Sequence, residues 1–183
     1  MVLYLANVGV PMIFPALPLM VLSLLPIVLV EALILWRTLK IEFHRSIKAA
    51  ASANALSTLV GIPVTWFLLV VLQFLTGGDR AFGLNTPLKK LLAVTWQAPW
   101  LVPYDSSLYW MVPTAGLVLL IPFFSASWWL EHLVAKRVLK EIETKRVRRV
   151  VLYANLVSYG MFALYLLFVL ATARPSIVEP AGV

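Results

Sequence analysis

Apolar residues run in four long stretches, separated by connections that are polar and mostly basic. The stretches extend from about Ala16 to Trp36, Ala49 to Leu75, Leu108 to Leu130 and Val150 to Ala173. Each is as long as the ~20 helical residues that cross a hydrocarbon core of about 30 Å. In lipid the backbone must satisfy its own hydrogen bonds, which selects helices for such runs. The pattern predicts an all-α integral membrane protein, a single membrane domain with four transmembrane helices as two tandem helical hairpins. Hairpin one covers residues 16–75, an outer loop 76–107, hairpin two 108–173 and a tail 174–183.

Residues 1–15 are also apolar, punctuated by Pro11 and Pro15, and read as an interfacial lead-in or an extension of the first span. Pro26 and Pro63 fall inside spans, where neighbouring helices can re-satisfy the freed carbonyls. In the outer loop, Thr86 suits an N-cap and Pro87 the first helical position. Leu88, Leu91, Leu92 and Thr95 then share one face, which predicts a short helix lying in the interface plane. Trp96, Trp100, Tyr104, Tyr109 and Trp110 follow as interfacial aromatics, since Trp and Tyr favour the headgroup level. A docking surface for a partner is the other reading of the same residues.

Charge adds orientation. The connection after the first span carries Arg37, Lys40, Arg45 and Lys48; the one after the third carries Lys136, Arg137, Lys140, Lys145, Arg146, Arg148 and Arg149. These are eleven of the fifteen Lys and Arg residues. The other side keeps Arg80, Lys89, Lys90 and Arg174. The positive-inside rule then puts both basic connections in the cytoplasm and both termini outside it, in a cell inner membrane. With a net charge of +7, the expected partner of Lys140, Lys145, Arg146, Arg148 and Arg149 is anionic lipid of the cytoplasmic leaflet. Nucleic acid is not expected, because no folded domain displays a basic face. No basic n-region precedes the first apolar run, so no cleavable signal peptide is expected. With no Cys, no disulfide or thiolate site can form.

The two hairpins resemble each other. The pattern E-x-L-x-x-x-R-x-L-K occurs at Glu31–Lys40 and again at Glu131–Lys140. Downstream, Ala53-Asn54 leads to Ser57 and Gly61; Ala154-Asn155 leads to Ser158 and Gly160. The matches among Glu, Arg and Asn favour a duplication with parallel repeats over coincidence in Leu/Ala-rich sequence.

Each repeat carries one carboxyl and one carboxamide inside an apolar run. Glu31 precedes Arg37 by six residues and Asn54 follows Lys48 by six; Glu131 and Asn155 stand in the same relation to Arg137 and Arg149. Six residues are about 9 Å of helix, so each Glu and Asn share a depth on antiparallel neighbours. A carboxyl at that depth is costly unless paired, so Glu31 with Asn54 and Glu131 with Asn155 are expected as polar inter-helix clamps. A proton or cation site is the sharper alternative. Ser57, Thr58 and Gly61 continue the Asn54 stripe and read as a helix-packing face, because small residues permit close approach.

No catalytic set emerges. His44 and His132 suit neither a bis-His haem nor a zinc site, so no metal and no cofactor is expected. No Walker, Rossmann or G-x-S-x-G motif occurs. The expected function is therefore a non-catalytic structural or accessory subunit of a larger inner-membrane assembly, packing against other membrane subunits and lipid. The rival is a small oligomeric transporter or channel using Glu31 and Glu131; a membrane-embedded enzyme ranks third.

Overall fold

The computed structural model describes residues 13–76, 85–95 and 108–174. The described residues are helical throughout, with no strand: α1 (Ile13–Leu39), α2 (Phe43–Thr76), α3 (Pro87–Thr95), α4 (Leu108–Val138) and α5 (Thr144–Thr172). Among the described residues, three helical segments are long and apolar enough to cross a membrane: Val21–Leu39, Tyr109–Val138 and Thr144–Thr172. The longest helix, α2, has 34 residues, and its first half carries Arg45, Lys48, Ser52, Asn54, Ser57 and Thr58.

The helices run further toward the basic connections than the apolar runs alone predict. α1 continues to Leu39, and α2 begins at Phe43, six residues before the expected edge. Ile13 to Pro15, expected in the lead-in, already belong to α1, while residues 1–12 lie outside the described residues. The connection between α4 and α5 contains no Gly or Pro, which predicts that both flanking spans extend into it as helix. Both do, to Val138 and from Thr144, and the chain turns over residues 139–143, where the Ile142 N–H donates to the Leu139 carbonyl at 3.1 Å. α1 likewise ends without Gly: Lys40 takes φ 56° and its N–H reaches the Trp36 carbonyl at 3.0 Å. That is the left-handed C-terminal cap usually given to Gly.

α3 starts where the Thr86-Pro87 pair predicts. The Lys89 N–H donates to Thr86 Oγ1 at 3.2 Å, satisfying one of the orphan donors of the first turn. α3 packs on α4, and its Ala93 is fully buried.

The four long helices form a ring. α1 packs on α2 and α5; α4 packs on α2 and α5; neither diagonal pair touches. The core is concentrated toward the basic connections, where Ala32, Leu35, Leu39, Ala49, Ala50, Ala135, Leu139, Val147, Val150 and Val151 form one buried cluster. Four of these are alanines, and small side chains let the helices approach closely. Farther along, α1 and α5 separate around an apolar cleft of about 240 Å³, with Ser158 in its wall. The outside of the ring is apolar: Leu22, Leu25, Leu59, Ile121, Leu164 and Phe168 are each more than half exposed. A surface of this kind is costly in water and ordinary in hydrocarbon.

Both connections meet at one end. Arg146 of α5 donates to the Thr38 carbonyl of α1 at 3.1 Å, and Arg45 of α2 pairs with Glu141. Arg148 lies over the Trp128 ring, 4.9 Å from its centroid.

Candidate functional site

At the boundary of the core lies one layer of six polar side chains, each at most 5% exposed: Glu31, Asn54, Ser57, Glu131, Asn155 and Ser158. The helical repeat puts Asn54 and Ser57 on one face of α2, and Asn155 and Ser158 on one face of α5, since positions three apart are neighbours. On α5 that face is continuous with Val147, Val150, Val151 and Ala154, all buried. Burial of the apolar stripe therefore delivers the polar pair to the centre of the ring.

Asn54 Nδ2 donates to Glu31 Oε2 at 2.6 Å, and Asn155 Nδ2 donates to Glu131 Oε2 at 2.6 Å. Each carboxamide also donates one turn back, Asn54 to the Ala50 carbonyl at 3.0 Å and Asn155 to the Val151 carbonyl at 3.1 Å. Both amide hydrogens are thus used, and the backbone bond fixes the direction of the other.

The second oxygen of each carboxyl is bonded from the neighbouring helix of the other pair. Ser158 Oγ of α5 donates to Glu31 Oε1 at 2.7 Å; Ser57 Oγ of α2 donates to Glu131 Oε1 at 2.8 Å. Each serine also lies near the carbonyl three residues back, at 3.1 Å for Ser57 and 3.2 Å for Ser158. A hydroxyl has one hydrogen, and the carboxyl oxygen is the nearer acceptor in both cases. The four bonds to the carboxyls therefore cross the four helix interfaces once each: α1–α2, α5–α4, α5–α1 and α2–α4. Asn155 Oδ1, also buried, has no donor among the described residues.

The sequence pattern places each Glu with the Asn of its own hairpin, and misses the serines. The stripe of small residues places Ser57 on a packing face, yet it is a donor to Glu131, and the repeat marks Ser158 without giving it a partner. The shared spacing Asn-x-x-Ser was the available signal. Thr58 is half-buried beside Ser57. Gly61 is buried, but a Cβ added there would meet no atom within 4 Å, so no close approach depends on it. The close approach lies at Gly116 of α4, where a Cβ would stand 3.1 Å from Leu166 Cδ1 of α5. Beside the layer, Ser127 of α4 and Tyr159 of α5 share a hydrogen bond of 2.8 Å, with Phe124 edge-on to the Tyr159 ring.

The basic residues separate into two groups. All five of Lys140, Lys145, Arg146, Arg148 and Arg149 are exposed, but Arg146 and Arg148 also contact Thr38 and Trp128 of neighbouring helices, as described above. Trp96, Trp100 and Tyr104 lie outside the described residues, while Tyr109 and Trp110 are half-buried at the start of α4. Aromatics also stand at the basic end: Trp36 and Phe43 meet edge-on at 5.7 Å and are both well exposed.

Among the described residues, no cluster of three or more His, Cys, Asp or Glu side chains could hold a metal ion. The His132 ring nitrogen Nδ1 lies 3.1 Å from the Trp128 carbonyl, and His44 is exposed in the first turn of α2. The layer offers two carboxyls bonded to neutral donors, an arrangement that can fasten helices or exchange a small cation. Comparison with protein-family models, curated proteins and solved structures finds no match to this chain.

Proposed function

We propose that this chain is a non-catalytic structural subunit of an inner-membrane assembly, a four-span bundle held in register by its buried polar layer. α2 is the fourth span, and the two helix pairs are parallel repeats of one ancestral hairpin. Both basic connections face the cytoplasm. The observation that carries the reading is the layer's connectivity. Every oxygen of Glu31 and Glu131 accepts a hydrogen bond, and the four bonds tie each helix to both of its neighbours. In hydrocarbon a lone polar group is expensive, so a layer that is satisfied only in one arrangement of helices selects that arrangement. The two-fold correspondence of the bonds supports the repeat.

One observation favours a second reading, a transporter or channel that moves protons or small cations. Neither carboxyl has a cationic partner among the described residues. Against it, no Asp, Glu, Lys, Arg or His occurs in the four long helices beyond the layer, on the side away from the basic end. A path for ions would have to be lined by uncharged groups.

The two readings separate in proteoliposomes and in mild detergent. The structural reading expects that the purified chain does not dissipate an imposed proton or sodium gradient, and that it is isolated from its native membrane at fixed stoichiometry with other membrane subunits. Gradient dissipation by the chain alone, abolished by Glu31→Gln with the fold intact, would replace it with the transport reading.

A further inference from the structure

We infer that the basic end of the bundle is a docking surface for the headgroups of anionic phospholipids, built from Lys140, Lys145 and Arg149 and not from Arg146 or Arg148. This rests on the reading of the chain as a membrane bundle and names the lipid class that it meets. Residues 37–48 and 136–149 hold eleven Lys and Arg residues against Glu42, Glu141 and Glu143, so the entire net positive charge of the chain lies at this end. The bundle uses part of that charge internally. Arg45 pairs with Glu141, Arg146 caps the open carbonyl of Thr38, and Arg148 stacks on Trp128. All five basic residues from Lys140 to Arg149 are exposed, and Lys140, Lys145 and Arg149 are the ones that make no ion pair, ring contact or side-chain hydrogen bond among the described residues.

Two neighbours of this charge suit a membrane surface better than a soluble partner. The helices that bear it continue directly into lipid-compatible apolar faces, which hold the charge at the bilayer boundary. The exposed Trp36–Phe43 pair stands beside it, with the Arg37 guanidinium 5.9 Å from the Trp36 ring centroid. Trp beside Arg at a helix end is the arrangement found at headgroup level. Cations near an anionic leaflet gain electrostatic attraction that salt screens.

Native mass spectrometry of the full chain in detergent tests this, with phosphatidylglycerol and phosphatidylcholine of identical acyl chains as probes. The wild type is expected to bind phosphatidylglycerol at least roughly tenfold more tightly at low salt, the preference shrinking as salt rises. Lys140→Gln, Lys145→Gln and Arg149→Gln together should remove most of it, at up to roughly fivefold per charge. Arg146→Gln with Arg148→Gln should lower the thermal midpoint and leave most of the preference in place. Equal binding of the two lipids by the wild type, or an unchanged preference in the triple variant with native helicity, overturns the inference. If that triple variant instead loses a protein that copurifies with the wild type, the charge belongs to a protein partner.

Discussion

The Ser158 hydroxyl of α5 donates to Glu31 Oε1 of α1 at 2.7 Å, across 127 positions of the chain. Glu31 is thereby shared between the helix that follows it in sequence and the last helix of the fold. Glu131 is shared in the same way between Asn155 and Ser57.

Substitutions at Glu31 should separate hydrogen bonding from charge. Glu31→Gln keeps an acceptor for Asn54 and should change unfolding stability by less than about 1 kcal/mol. Glu31→Leu strands the Asn54 amide in an apolar setting and should cost about 2 kcal/mol. Reversible unfolding in mixed micelles measures both. Equal losses for the two variants would mean that the carboxyl's charge, and not its acceptors, holds the layer.

The two glycines should respond in opposite ways to Ala. At Gly61 the added Cβ meets nothing within 4 Å, so Gly61→Ala should gain part of the roughly 0.5–1 kcal/mol of helix propensity. At Gly116 the Cβ would press on Leu166 at 3.1 Å, and the strain should offset that gain or exceed it. Thermal midpoints of the two variants in one detergent decide the order.

The four apolar runs and the depth shared by each Glu and Asn were legible because both follow from distances along a single helix pair. Ser57 and Ser158 were not, because their partners depend on which helix of one pair lies beside which helix of the other. Counting residues from the loops leaves that ring order open. The internal use of Arg146 and Arg148 was hidden for the same reason: Thr38 and Trp128 belong to other helices. The exact place of the turn at 139–143 is not legible, because sequence signals for helix ends rest on Gly and Pro, and neither occurs there.

Lys40 holds a left-handed backbone angle without being Gly. Lys40→Gly should stabilise the turn between α1 and α2 by up to about 1 kcal/mol, since a side chain there costs roughly 1–2 kcal/mol against the helical region. A lowered midpoint would mean that the Lys40 side chain contributes more than its backbone costs.

The absence of native Cys makes the fourth span directly testable. Single cysteines at Lys40, Asn85 and Thr144 in intact membranes should label from the cytoplasm, the outside and the cytoplasm respectively. Labelling of Lys40→Cys and Asn85→Cys from one side would show that α2 does not cross.

The Ser158–Glu31 bond ties one helix pair to the other within the polar layer. A double-mutant cycle of Ser158→Ala and Glu31→Leu, read by reversible unfolding in bicelles, isolates that bond from the effects that each change has alone. The expected coupling is about 0.6 kcal/mol, the average for hydrogen bonds between membrane helices, and at most about 1.7 kcal/mol. Additivity within about 0.3 kcal/mol would contradict it.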